Sequence, residues 1–90
     1  MTVTIEVFSA PACGKCAQAK ARLRAVAESF GAERVQWREV DVLDDLERAV
    51  ALGVLSTPAI AIDGELVFTG TPSEQALRQA VEARLQGDTP

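Results

Sequence analysis

The chain has 90 residues, 48% of them hydrophobic, and a formal net charge of −4, which is typical of one globular domain and excludes a largely disordered chain. It contains no apolar run near the roughly 18 residues of a membrane span, and its bases form no isolated stripe, so we expect neither membrane nor nucleic-acid binding. The absence of histidine removes the commonest zinc ligand and histidine-dependent nucleophiles, and leaves thiols, carboxylates, lysine and backbone dipoles for chemistry.

The first strand is predicted over Val3 to Phe8, with Val3, Ile5 and Val7 on one face and Glu6 pointing away from that face. The residues before it carry no basic region and no small-residue cleavage site. We therefore expect no secretory signal and a cytosolic protein.

A loop over residues 9–12 leads to an alanine-rich helix that is predicted from Cys13 to Phe30. Gly31 follows as a natural C-terminal stop. The helix carries a single apolar stripe, formed by Cys16, Ala19, Leu23, Val26 or Ala27, and Phe30.

A second strand is predicted over Val35 to Val42, and the polar residues that interrupt its alternation favour a half-exposed edge position. A short helix then runs from Asp44 to Leu52. Its start resembles a capping box, because Glu47 lies three residues after Asp44, and Gly53 closes it.

Two short strands, Ala59–Ile62 and Leu66–Phe68, flank Asp63-Gly64, which is a strong signal for a hairpin. The last helix begins at Thr71-Pro72-Ser73-Glu74, with the threonine as N-cap, the proline at N1 and the glutamate at N3. It is predicted to stop at Gly87 and has an apolar stripe of Leu77, Val81 and Leu85.

The predicted order is therefore β-α-β-α-β-β-α in an α/β domain. The first β-α-β unit should be parallel with a right-handed crossover, and the later pair antiparallel. We expect a single domain over residues 1–90, built from one mixed four-stranded sheet covered by three helices, with a frayed tail over residues 86–90.

The only two cysteines, Cys13 and Cys16, lie three residues apart in Cys13-Gly14-Lys15-Cys16. On a helical turn their Cα atoms would be about 5–6 Å apart, which suits a disulfide. A bridge that closes so short a loop constrains little of the unfolded chain, so it stabilises the fold poorly. The spacing indicates a disulfide that opens and closes.

The two thiols are expected to differ. Cys13 lies at a helix N-terminus beside the positive charge of Lys15, which should lower its thiol pKa to about 6–7.5 and make it the attacking nucleophile. Cys16 belongs to the inward stripe, so it should be buried, less acidic and placed to resolve a mixed disulfide.

Two other interpretations remain open. The first is an inert buried cysteine pair, although Cys13 lies outside the apolar stripe. The second is a site for Cu(I) or half of a zinc site, but no further cysteine or histidine completes such a site. Small copper carriers also follow a different order, β-α-β-β-α-β, which the short helix from Asp44 breaks.

Pro58 opens the third predicted strand, and an X-Pro bond considered alone favours trans. Together, the Cys13–Cys16 motif at the first helix, Gly53-Val54, and Thr57-Pro58-Ala59 before the hairpin resemble the thioredoxin/glutaredoxin superfamily over essentially the whole chain. The resemblance implies a thioredoxin fold, with a cis Pro58 packed against the cysteine pair. It also implies that the backbone of Thr57 pairs with an extended client segment.

The chain departs from thioredoxins in several positions. Ala12 stands where a tryptophan usually precedes the first cysteine, Lys15 stands in place of a proline, and Val7 occupies the position of a buried acid that handles protons. Residues 8–13 look more like a glutaredoxin opening. The glycine- and aspartate-rich turn of the glutaredoxin glutathione site is replaced by residues 69–74, which include the anionic Glu74.

The leading hypothesis is a monomeric cytosolic thiol–disulfide oxidoreductase that reduces protein disulfides and needs no cofactor besides its own Cys13–Cys16 disulfide. Its electrons would come from a thioredoxin reductase-like flavoprotein or from glutathione. Pro11, Gly14 and Lys15 are expected to support the site, while Thr57 and Pro58 bind substrate. The alternatives are a glutathione-dependent glutaredoxin and a metal- or iron–sulfur-binding module.

Overall fold

The structure, a computed structural model, describes residues 2–11, 13–14 and 16–86. Its elements follow the predicted order. They are β1 (Val3–Ser9), α1 (Cys16–Ser29), β2 (Val35–Asp41), α2 (Leu46–Leu52), β3 (Ala59–Ile62), β4 (Glu65–Thr69) and α3 (Glu74–Leu85). The α/β architecture of three helices around a four-stranded mixed sheet is thus confirmed.

The sheet has the order β2-β1-β3-β4, so β2 lies at an edge, as its broken alternation predicts. β1 pairs in parallel with β2, from Val3 opposite Val35 to Ser9 opposite Asp41. β3 runs antiparallel to both β1 and β4. The carboxyl ends of β1 and β2 therefore lie at the same edge of the sheet, where β3 begins.

The two faces of the sheet are covered by different helices. The predicted apolar face of β1 packs with α1 and α3 in the larger core, which includes Ile5, Leu23, Ile60 and Leu77. On the opposite face, Phe8 packs with α2 in a smaller core, together with Ala49, Ala59 and Ala61. Alternation along β1 places successive side chains in the two cores.

The predicted hairpin is confirmed and is slightly longer than expected. Asp63 and Gly64 take positive φ values of 51° and 82°, as a two-residue turn that matches the twist of the strands requires. The Asp63 carboxylate also accepts a hydrogen bond from the Thr4 N–H at 2.9 Å, which fastens the turn to β1.

The predicted start of α2 is wrong. Asp45, rather than Asp44, occupies the N-cap position, and its side chain makes no capping hydrogen bond. The cause is a local turn, in which the Asp41 carboxylate accepts the Leu43 N–H at 2.8 Å and the Asp41 carbonyl accepts the N–H groups of Asp44 and Asp45. The helix begins only after this turn and ends, as predicted, at a left-handed Gly53.

α3 also begins later than predicted. Ser73 is the N-cap, and its hydroxyl oxygen accepts the Ala76 N–H at 3.0 Å. Thr71 directly precedes Pro72, a position that disfavours helical backbone, so both residues stay outside the helix. The helix ends at Leu85; the predicted stop at Gly87 and most of the predicted frayed tail lie outside the described residues. Within residues 2–11, 13–14 and 16–86, no helix combines the length and apolar character that a bilayer crossing requires.

Candidate active site

Cys13 and Cys16 are joined by a disulfide in the loop that links β1 to α1, and their Cα atoms are 5.4 Å apart, within the expected range. The Cys13 N–H donates to the Ala10 carbonyl at 3.0 Å, and the Cys16 N–H donates to the Cys13 carbonyl at 3.2 Å. These turns delay the helix, so α1 begins at Cys16 and the prediction that it begins at Cys13 is wrong. Cys13 nevertheless lies only three residues before the first residue of α1.

The two sulfur-bearing residues differ in exposure, as the apolar stripe predicts. Cys16 is only 3% exposed and shares the buried face of α1 with Ala19 and Leu23. Cys13 is half-buried and opens into a surface cleft, whose lining includes Pro11, Lys20 and Asp41. Both cysteines line this cleft, and Cys13 is the more exposed of the two.

Gly14 and Pro11 are both exposed beside the disulfide. A Cβ atom built on Gly14 would have no neighbour within 4 Å, so the space above the loop is open. Lys15 and Ala12, the positions of two departures from the thioredoxin pattern, lie outside the described residues.

Lys20 brings a positive charge to the cleft. Its Nζ lies 3.5 Å from Glu39 Oε1, and the same carboxylate lies 3.6 Å from Arg24. The indole N–H of Trp37 donates to Glu39 Oε2 at 3.0 Å. This hydrogen bond, together with the charges of Lys20 and Arg24, lowers the pKa of Glu39. Lys20 is thereby held at the side of the cleft by a carboxylate that stays ionised.

Asp41 is a cleft residue that the sequence motifs did not indicate. It lies at the carboxyl end of β2, directly opposite Ser9 in the parallel register. That register puts Asp41 beside the loop that follows β1, so it lines the cleft with the cysteines. The predicted parallel pairing of β1 with β2 is the sequence signal that could have placed Asp41 beside the cysteine loop.

The Thr57–Pro58 peptide is cis, as the family resemblance implies. Ala59 pairs with Phe8, so β3 begins beside the carboxyl end of β1 and brings Thr57 and Pro58 to the edge that carries the cysteine loop. Pro58 is buried, and its carbonyl accepts the Gly70 N–H at 2.8 Å. A groove runs between this turn and α1, lined by Gln18, Ala19, Arg22, Thr57, Pro58, Gly70 and Thr71.

Glu6 points away from the Val7 face, as predicted, and is 2% exposed on the α2 face of the sheet. The Arg48 Nε donates to Glu6 Oε2 at 2.9 Å, and a second Arg48 nitrogen donates to Oε1. Arg38 forms a second ion pair with the Glu6 carboxylate at 3.7 Å. The hydrogen bond to Glu6 raises the pKa of Arg48. This carboxylate fastens α2 to the sheet.

Within the part of the chain that the structure describes, no group of three or more cysteine, aspartate or glutamate side chains gathers in an arrangement that could hold a metal ion. A C-x-x-C disulfide at the amino end of a helix, next to a cis Thr–Pro turn on a β-α-β-α-β-β-α sheet, defines a thiol–disulfide oxidoreductase of the thioredoxin fold. The family model described as "Thioredoxin domain" matches residues 3–82, and the chain belongs to this family.

Archaeal proteins are among its similar relatives. A protein named probable thioredoxin from Methanothermobacter thermautotrophicus is 34% identical over 86 residues, covering 96% of this chain and 100% of the relative. A thioredoxin from Methanocaldococcus jannaschii is 32% identical over 83 residues, covering 92% of this chain and 96% of the relative. The matches span nearly all of both relatives and of this chain, and they support its class as an oxidoreductase.

Among solved structures, a protein disulfide oxidoreductase from Aeropyrum pernix matches with a TM-score of 0.81 and 31% identity. The match covers 96% of this chain but 38% of that protein. A mutant thioredoxin from Halobacterium salinarum matches with a TM-score of 0.69 and 29% identity, covering 90% and 73% of the two chains. The thioredoxin fold is therefore shown both by the family and by structural similarity.

Proposed function

We propose that this protein reduces disulfides in client proteins, with Cys13 as the attacking nucleophile and Cys16 as the resolving thiol. The observation that carries the proposal is the unequal exposure of two bonded cysteines in one cleft: Cys13 is half-buried, whereas Cys16 is 3% exposed. We expect a client sulfur to approach the more exposed sulfur, that of Cys13, in line.

In the reduced protein, the Cys13 thiolate attacks one sulfur of the client disulfide. The other client sulfur leaves as a thiolate, takes a proton, and a mixed disulfide remains on Cys13. Cys16 then loses its proton to solvent and attacks the Cys13 sulfur as a thiolate, and the second client sulfur leaves as a thiolate that takes up a proton. Two electrons pass to the client, and the protein is left with the Cys13–Cys16 bond that the structure contains.

The residues around the pair have supporting roles in this proposal. Gly14 and Pro11 leave the approach to Cys13 open, which their exposure supports. Lys15 supplies positive charge between the cysteines. The backbone of Thr57 pairs with an extended client segment beside Pro58, because this turn lies at the same sheet edge as the cysteine loop.

We propose a thioredoxin reductase-like flavoprotein as the electron donor and the cytosol as the compartment, with the protein acting as a monomer. A disulfide that opens and closes repeatedly needs a source of electrons, and reducing compartments supply one. The protein's own disulfide is then the only redox group required.

Glutathione is the second candidate donor. Arg22 lines the groove beside Thr57 and Pro58 and offers a cation for a glutathione carboxylate. Glu74 in the first turn of α3 opposes an anion there. Supplying the oxidised protein with glutathione or with a flavoprotein reductase, and measuring which one reduces it, separates the two donors.

The test of the proposed roles is a trapping experiment with a disulfide-containing protein such as insulin. Cys16→Ser should accumulate a stable mixed disulfide on Cys13, because no thiol remains to resolve it. Cys13→Ser should form no adduct under the same conditions. An adduct that forms on Cys13→Ser and not on Cys16→Ser would reverse the assignment.

A further inference from the structure

α2 has an apolar outer face in addition to the inner face that packs on the sheet. Leu46 and Val50 lie one turn apart and are 59% and 68% exposed, while Ala49 is buried. Leu55, in the loop after the helix, is 96% exposed. Leu46, Val50 and Leu55, here called the α2 patch, line one shallow groove. Exposed aliphatic residues that gather in this way mark interaction surfaces.

The α2 patch adjoins the redox site. The groove reaches Thr57, which also lines the groove beside Pro58. The groove also includes Val42, which directly follows the cleft residue Asp41 in the sequence. A protein that binds at Cys13 and extends along Thr57 therefore has the patch within reach.

Acidic residues neighbour the α2 patch in the sequence. Asp44 and Glu47 are exposed on either side of Leu46 in the sequence, and no ion pair is described for either. The charge of Asp45 contributes to raising the pKa of Arg48, so Arg48 partly balances the Asp45 carboxylate. An apolar surface with a carboxylate rim is complementary to aliphatic side chains that have lysine or arginine beside them.

We propose that the α2 patch docks client proteins, and that it favours disulfides flanked by a segment of aliphatic and basic residues. This inference rests on the proposed function and specifies its substrates. A second copy of the chain fits the patch less well, because a symmetric contact would bring the two carboxylate rims of chains with net charge −4 together.

The test uses synthetic peptides that each contain one internal disulfide and differ only in a short tail. The tail alternates leucine with lysine, serine with lysine, or leucine with glutamate. Second-order rate constants are measured for the chemically reduced protein by acid quenching and mass spectrometry, with hydroxyethyl disulfide as a small neutral substrate. The leucine–lysine peptide should react at least about fivefold faster than either of the other two peptides.

The matched variants separate the patch from the chemistry. In Leu46→Ser/Val50→Ser, the ratio of the rate constant for the leucine–lysine peptide to that for hydroxyethyl disulfide should fall at least about fivefold. Val67→Ser, which alters an exposed aliphatic residue of β4 outside the patch, should leave the ratio unchanged. Asp44→Asn/Glu47→Gln should remove the preference for lysine over glutamate, whereas Glu33→Gln/Glu82→Gln, with the same change of charge, should retain it.

The outcomes are distinct. Equal rate constants for the three peptides would overturn the docking proposal, and so would an unchanged peptide-to-hydroxyethyl-disulfide ratio in Leu46→Ser/Val50→Ser. Continued reduction of hydroxyethyl disulfide would in either case leave the oxidoreductase role intact. A dimer in sedimentation that this variant dissociates, with no tail preference, would show a self-interface and also overturn it. If the protein reduces no disulfide, the proposed function fails and the docking proposal fails with it.

Discussion

Glu39 is a side chain whose ionised form is stabilised by its neighbours. The Trp37 N–H donates to it, and Lys20 and Arg24 lie within ion-pair distance, so its pKa is lowered. Because the side chain is 38% exposed, solvent screens these charges and the contribution to stability is a few tenths of a kcal/mol.

The pH dependence of this contribution follows from the lowered pKa. It is fully present above the ordinary glutamate pKa of about 4.3 and is lost as the pH falls through the lower value in the folded protein. We therefore expect Glu39→Gln to lose a small amount of stability at pH 7 and to match the wild type in strong acid. Denaturant unfolding across this pH range measures the gap. A gap that widens as the pH falls would contradict the account, and Glu33→Gln, which changes an exposed glutamate, is the control.

Sequence alternation could predict part of this arrangement. Trp37 and Glu39 are two residues apart on one strand, so they share a face. Lys20 and Arg24 are far from Glu39 in sequence, and no period in the chain indicates which turn of α1 lies over which residue of β2. The cleft charges therefore needed the structure.

At the scale of the elements, α2 is fastened to the sheet by Arg48 and the buried Glu6. Removing the Arg48 guanidinium leaves the Glu6 carboxylate, which is only 2% exposed, with the more distant Arg38 as its remaining described partner. Arg48→Ala should therefore lower the Tm by more than about 5 °C. Replacing both members, in Glu6→Leu/Arg48→Leu, should recover much of this loss, because no buried charge remains.

Thermal unfolding followed by circular dichroism measures these Tm values. Arg34→Ala is the matched control, since Arg34 is exposed and no ion pair is described for it. If Arg48→Ala were as stable as Arg34→Ala, the Glu6 carboxylate would not be what holds α2 to the sheet.

The start of α3 depends on Ser73, whose hydroxyl accepts the Ala76 N–H. Ser73→Ala should lower the free energy of unfolding by about 1 kcal/mol, and thus the Tm by roughly 4–8 °C, because an N-terminal N–H loses its partner. Ser73→Asp, which keeps an acceptor, should retain the stability of the wild type. Thr71→Ala serves as the control: a larger loss there than in Ser73→Ala would restore Thr71 as the cap.

The helix starts show where sequence reasoning reached its limit. Existence and order of all seven elements were predicted, because apolar periodicity and glycine stops are local signals. The predicted N-caps of α2 and α3 were wrong because a chemically similar residue nearby takes the position. Asp45 replaces the predicted Asp44, and Ser73 replaces the predicted Thr71. The α2 choice depends on hydrogen bonds within the preceding turn, such as the bond from Leu43 N–H to Asp41, which residue types alone do not specify. The α3 choice could have been made from sequence, because Thr71 precedes a proline and so disfavours helical backbone.

For the whole molecule, the topology explains how separate segments form one site. Parallel β1 and β2 end at the edge where antiparallel β3 begins, so the cysteine loop, Asp41 and the cis Thr57–Pro58 turn meet there. The sequence indicated Cys13, Cys16 and Pro58 through their motifs. It did not indicate the α2 patch, because exposed aliphatic residues on a short helix cannot be distinguished from core residues by periodicity.

The central proposal is that Cys13 is the attacking nucleophile, with the lowered thiol pKa that its sequence position predicts, and that the less exposed Cys16 resolves the mixed disulfide. The most direct measurement is the rate of iodoacetamide alkylation of each thiol in the reduced folded protein, followed from pH 5 to 10 by peptide mass spectrometry. Cys13 should react faster than Cys16 at every pH, with a midpoint below the free cysteine value of about 8.5. Equal, slow alkylation of both thiols with an ordinary midpoint would contradict the account.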